Sequence, residues 1–147
     1  MRYSEANLGR IFIIRLENGD VIHETVEQFA KDKGIKAASF FIVGGVDKDS
    51  TIVVGPEDDN ASPVNPMTLV LEKAHEVTGT GTLFPDENGN PMIHMHIACG
   101  REDKTVTGCI RKGVKCWNLL EITLFELTGT NSYRKFNKSL GFYTLQP

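Results

Sequence analysis

Sulfur is scarce in this chain: Cys99, Cys109 and Cys116 are its only cysteines in 147 residues. An odd, sparse set excludes a disulfide-framework domain and predicts reduced thiols in a cytoplasmic protein. Long apolar runs are missing as well. No stretch approaches the roughly 18 residues that a membrane helix needs. The opening "MRYSEANLGR" has no apolar core of a signal peptide, so no membrane partner is expected. There is no excess of positive charge either. Sixteen Lys and Arg against nineteen Asp and Glu leave a net charge of −3, which disfavours a general nucleic-acid surface and leaves room only for a local basic patch. Internal repeats, low-complexity tracts and dividing linkers are absent, which predicts one domain over residues 1–147. No G-x-x-x-x-G-K-[ST] phosphate loop follows Gly44-Gly45, and "TGTGT" sits in a strand pattern without opening a helix.

What is present reads as alternating strands around one clear helix. "RIFIIRLE" predicts a strand and "NGD" a turn. After it, Asp20 is placed to cap a helix whose apolar face is Ile22, Val26, Phe29 and Ala30, ended by Gly34. "IKAASFFIVGGV" and "STIVVG" predict strands, and "PEDDNASPVNP" a loop. "MTLVLEKAHEVTGTGTLFP" predicts two strands or one long bent one. "MIHMHIACG", "TVTGCIRKG" and "NLLEITLFELTG" predict three more, the last closing the sheet. Residues 129–147 read as a polar tail. The expectation is an α+β fold: a mainly antiparallel, bent β-sheet of about seven strands with one or two helices packed on it.

The chemistry concentrates in "IHMHIACG". Strand side chains alternate, so His94 and His96 share a face while Met95 and Ile97 face an apolar layer. A turn centred between Glu102 and Asp103 pairs His96 with Cys109 and His94 with Arg111, which sets a thiol beside two imidazoles. Three readings follow: hydrogen-bonded packing, a metal site, or a Cys–His nucleophile pair. No cysteine-protease signature or orienting Asn or Asp accompanies the last. Two histidines and a cysteine are ligand types preferred by zinc, and three protein ligands leave an open position. Such ligands must be deprotonated, so metal occupancy is expected to fall on acidification. His75, with Glu76 beside it, is a further candidate, reaching the site only through a bulge near Gly79/Gly81 or from a neighbouring subunit. His23 reads as a solvated first-turn residue, and Cys99 as a buried thiol on the other face.

In order, "GRIFIIRLENGD", an early helix, "FFIVGGV", "HEVTGTGTL", "HMHIACG" and "VTGCIRKG" resemble the PPC domain shared by plants and prokaryotes, across about residues 8–128. The resemblance implies an α/β fold around a bent antiparallel sheet, a homotrimer and, for prokaryotic members, a loose DNA-binding description; some members are metal-containing. His94 and His96 take the H-x-H positions, and Cys109 falls where many members have a histidine after two glycines. The AT-hook of the plant proteins, an "RGRP"-like stretch, is absent.

Three functions compete. The first is a homotrimeric, metal-binding module with a DNA-associated or regulatory role. Its DNA contacts would come from Arg101, Lys104, Arg111, Lys112 and Lys115, with Arg134, Lys135 and Lys138 as a second basic group. Affinity for DNA would then fall steeply with salt. The second is a zinc-dependent enzyme acting on a small molecule, with Glu76 or a carboxylate of "PEDDN" as general base. The third is a structural oligomer whose polar pocket is incidental.

Overall fold

Side-chain alternation and one helical period account for nearly every element of the computed structural model, which describes residues 1–110 and 113–147. In chain order these are β1 (Asn7–Glu17), α1 (Ile22–Lys33), β2 (Ala38–Val46), β3 (Thr51–Pro56), β4 (Pro66–Val70), β5 (His75–Pro85), β6 (Pro91–Arg101), β7 (Lys104–Ile110), β8 (Cys116–Thr128), β9 (Tyr133–Asn137) and β10 (Phe142–Gln146). The first eight strands form one sheet in the order β1-β8-β2-β5-β6-β7-β3-β4, and β9 and β10 form a separate hairpin. All of these pairings are antiparallel. The expected class holds, with a single helix among the described residues. Of the two readings of "MTLVLEKAHEVTGTGTLFP", two strands is the observed one, β4 and β5, and the extra strands come from the tail, which folds into a hairpin. The strand expected to close the sheet, β8, lies inside it between β1 and β2.

The helix buries Ile22, Val26 and Ala30 against one face of the sheet, and Phe29 meets Phe12 edge-on at 5.3 Å between centroids. Gly34 ends it in the left-handed region (φ 66), with Ile35 N–H donating to Ala30 O. Only a residue tolerating positive φ terminates a helix this way at low cost. The start differs from expectation: the N-cap is Val21, without a side-chain cap. The Asp20 carboxylate instead accepts the Glu17 N–H at 2.8 Å across the turn. His23 is not solvated; its Nδ1 is buried without a hydrogen-bond partner among the described residues.

Under the helix, Phe40, Ile42, Leu83, Met95, Ile97, Leu120, Ile122 and Leu124 are fully buried. Each such side chain contributes about 1.5–3 kcal/mol on leaving water. The opposite face follows from the same registers. Ile13, Thr123, Phe41, Thr80, His96 and Cys109 form one row across six strands, and directly opposed residues share a face.

Candidate metal centre

β6 and β7 are joined by a tight turn in which Arg101 pairs with Lys104, and no bulge interrupts the ladder. His96 therefore directly opposes Cys109, as the hairpin count predicts. His94, two residues earlier on the same face, opposes Thr82 of β5. Its expected neighbour Arg111 lies outside the described residues, as does Lys112. Where β6 runs beyond its described pairing with β7, the helix holds it: Ile93 N–H donates to the Glu27 carboxylate at 2.9 Å. The site is thus fixed by a sheet ladder on one side and a helix carboxylate on the other.

The Nε2 atoms of His94 and His96 lie 3.3 Å apart, with the rings inclined at 71°. Ligand atoms of His94, His96 and Cys109 all fall within 4.8 Å of one another. Two imidazole nitrogens on a tetrahedral zinc, with bonds of about 2.0–2.1 Å, stand about 3.3–3.4 Å apart. The histidine pair already has that spacing, and the Cys109 sulfur lies within 4.8 Å of a ring nitrogen of each. Both imidazoles are exposed and the Cys109 sulfur is buried. The donor set therefore closes on the protein side and opens toward solvent, which suits an ion with a free coordination position.

Gly108 matters here through size. A Cβ on it would stand 2.7 Å from the Val53 carbonyl oxygen of β3, so glycine lets β3 and β7 approach and carry Cys109 at this depth. It does not bulge the strand, as the unbroken β6–β7 register shows. The other two thiols belong to the core. Burial pushes Cys99 and Cys116 up to about 11, which keeps them protonated at neutral pH and poor as ligands.

The other expected site residues are placed elsewhere. His75 pairs with Val46 and Glu76 with Gly100. The residue facing His96 on β5 is Thr80, so His75 stands five positions along the strand, about 17 Å away at 3.4 Å per residue. β5 has no register shift that would shorten the path. His75 and Glu76 instead line a cleft of about 500 Å³ with Arg101, Lys104 and Trp117. In it His75 Nδ1 lies 2.8 Å from Lys73 O, and Arg101 Nη1 donates to Ala74 O at 2.8 Å. Acidic residues interleave this basic group: Glu102 and Asp103 form the turn, with Arg101 Nε 3.8 Å from a Glu102 oxygen. Lys115 is exposed just before β8.

One residue beside the centre escapes sequence reasoning, which places Arg134 in a solvated basic tail. It is 3% exposed. Its Nη2 donates to Thr82 Oγ1 at 2.8 Å and to Thr82 O at 3.4 Å, and its Nε to Met92 O at 3.3 Å. Nothing in "NSYRKFNKS" distinguishes it from Lys135 or Lys138. Only the folding of the β9–β10 hairpin against β5 does.

The family model of the Plants and Prokaryotes Conserved (PCC) domain matches residues 3–128. No curated protein matches. Among solved structures, a plant- and prokaryote-conserved protein of Pyrococcus horikoshii is 24% identical, with TM-score 0.82 over 98% of this chain and 97% of its own. A metal-containing protein of Archaeoglobus fulgidus is 21% identical, with TM-score 0.85 over 100% of both chains. A candidate DNA-binding protein of Bacteroides thetaiotaomicron is 20% identical, with TM-score 0.77 over 96% of both.

Proposed function

The chain belongs to the plants and prokaryotes conserved domain family, and from that premise we propose that it is a homotrimeric metal-binding module whose ion, zinc, is held by His94, His96 and Cys109. The observation that carries this reading is the 3.3 Å spacing of the two imidazole Nε2 atoms beside a buried cysteine. The metal-containing Archaeoglobus neighbour supports it. The support for self-association is the uncovered sheet face. Ile11, Ile13, Phe41 and Val43 are 53%, 80%, 47% and 48% exposed on it, the kind of apolar surface that marks an interaction site. A cytoplasmic location belongs to the same proposal and rests on the sparse, odd set of three cysteines, none in a disulfide. No helix among the described residues is long and apolar enough to cross a membrane.

A DNA-associated or regulatory role is the property that the Bacteroides neighbour suggests. On this chain it would fall to Arg101, Lys104 and Lys115, with Arg111 and Lys112. The acidic residues among them and the net charge of −3 make that surface a weak electrostatic footprint. A second reading, a zinc-dependent enzyme acting on a small molecule, is favoured by the solvent-facing side of the donor set. A zinc held there would supply Lewis acidity at an open position. Within one chain Glu76 stands four positions from His96 along the β6 register, about 14 Å, so a base role for it would require a neighbouring subunit.

Elemental analysis of purified protein tests the metal assignment. Wild type should carry close to one zinc per chain, and His94→Ala should lose it while keeping its circular dichroism spectrum. Equal metal in both proteins rejects the site.

A further inference from the structure

We propose that Arg134 forms an oxyanion subsite beside the metal position, so that the centre takes small ligands bearing a carboxylate, one oxygen directed to the metal and the other to the guanidinium. This rests on the zinc reading above and adds the ligand's chemical class. Three observations carry it.

The first is placement. Both of Arg134's anchors flank the donor set: Thr82 directly opposes His94, and Met92 lies two residues before His94 on the same face of β6. The second is the partners. Arg134 is 97% buried, yet its hydrogen bonds go only to carbonyl and hydroxyl oxygens, its guanidinium lies 5.8 Å from the Phe84 ring centroid, and no carboxylate pairs with it among the described residues. Burying a guanidinium is costly unless an anion compensates. Burial holds the guanidinium below its ordinary pKa, and the Cys109 sulfur, near enough to act on it, opposes that shift. The third is charge. Zinc with two neutral imidazoles and one thiolate carries a net charge of about +1, and the guanidinium beside it raises the local total to about +2. Once zinc neutralises the thiolate, Arg134 has only neutral partners, and a ligand anion restores the balance. The Nη1 group makes no hydrogen bond among the described residues and completes the planar fork that matches a carboxylate.

A purely architectural arginine, tying the β9–β10 hairpin to β5, would use the same anchors. The two roles separate in anion binding. Cobalt(II)-loaded wild type, titrated with sodium acetate and followed by its visible d–d bands, should give a saturable shift. Arg134→Lys should bind cobalt with unchanged stoichiometry and weaken acetate by about ten-fold or more, the loss of a charge-assisted hydrogen bond. Thr82→Val, which keeps the arginine but removes the hydroxyl that aims it, should weaken acetate less. It serves as the test if Arg134→Lys fails to fold. Acetate affinity equal to wild type in cobalt-loaded Arg134→Lys, or in Thr82→Val if that variant stands alone, overturns the subsite and leaves the metal site standing. Wild type that takes up no cobalt overturns both. Inorganic phosphate in a parallel titration separates a carboxylate preference from general oxyanion binding; phosphate binding more tightly than acetate overturns the stated class.

Discussion

Glu126 is the one acidic side chain buried in the β8 core row, and it is fully occupied there. It accepts hydrogen bonds from Arg10 N, Nε and Nη2 at 3.1, 2.7 and 2.8 Å. The Arg10 side-chain bonds hold its carboxyl below the usual carboxylate range, against the opposing effect of burial. A group whose pKa is lower in the folded state stabilises the fold above its unfolded value of about 4.3, and that contribution is lost as pH falls through the folded value. Glu126→Gln should therefore be less stable than wild type in urea melts at pH 7, and the gap should be smaller at pH 3. A gap of equal size at both pH values would show that the loss is packing and not charge. The same scale explains what the sequence displayed at the centre. His94, His96 and Cys109 were legible because a short turn transmits register without error over a few residues. Arg134 was not, because its position depends on a hairpin packing against a strand some fifty residues away, which no local pattern encodes.

Among the elements, β7 is the short strand that places the sulfur, and its seat depends on Gly108. With Val53 O only 2.7 Å from where a Cβ would stand, Gly108→Ala must separate β3 from β7 or shift Cys109. The expected cost is about 1–3 kcal/mol, as for other insertions into packed interiors, read from denaturant midpoints. Zinc affinity should fall with it; an unchanged midpoint would show that β3 gives way freely. Element types were readable where the pattern was periodic. The helix showed its apolar face and terminal glycine, and the paired strands β5 to β7 showed alternation and turns. Elements without a one-sided apolar pattern were harder. β9 and β10 are largely exposed, so their sequence reads as tail, and β4, exposed at every position, is legible only as one of two alternatives. The helix start was misplaced because Asp20 has a nearer backbone donor in its own turn than in the helix.

At the scale of the molecule, the helix covers one face of the sheet, while Ile11, Ile13, Phe41 and Val43 stay exposed on the other. The row Ile13–Thr123–Phe41–Thr80–His96–Cys109 joins that apolar surface directly to the donor set. A second row through Ile11, Phe125, Ser39, Thr82 and His94 does the same. Self-association through this face would bury Ile13 and Phe41 and bring each centre to the rim of the contact, screening it from bulk water on one side. Replacing both with charge, Ile13→Glu with Phe41→Glu, should convert the assembly to monomers in sedimentation equilibrium at micromolar concentration, because like charges brought together without partners cannot be desolvated cheaply. Helix and core lie on the far side, so the monomer should keep its circular dichroism spectrum. All three proposed donors come from one chain, so the monomer should also retain zinc at wild-type stoichiometry. Metal lost together with the assembly would mean that a neighbouring subunit completes the centre. A wild type that sediments as a monomer would remove the trimer and leave the centre to be judged on its own donors.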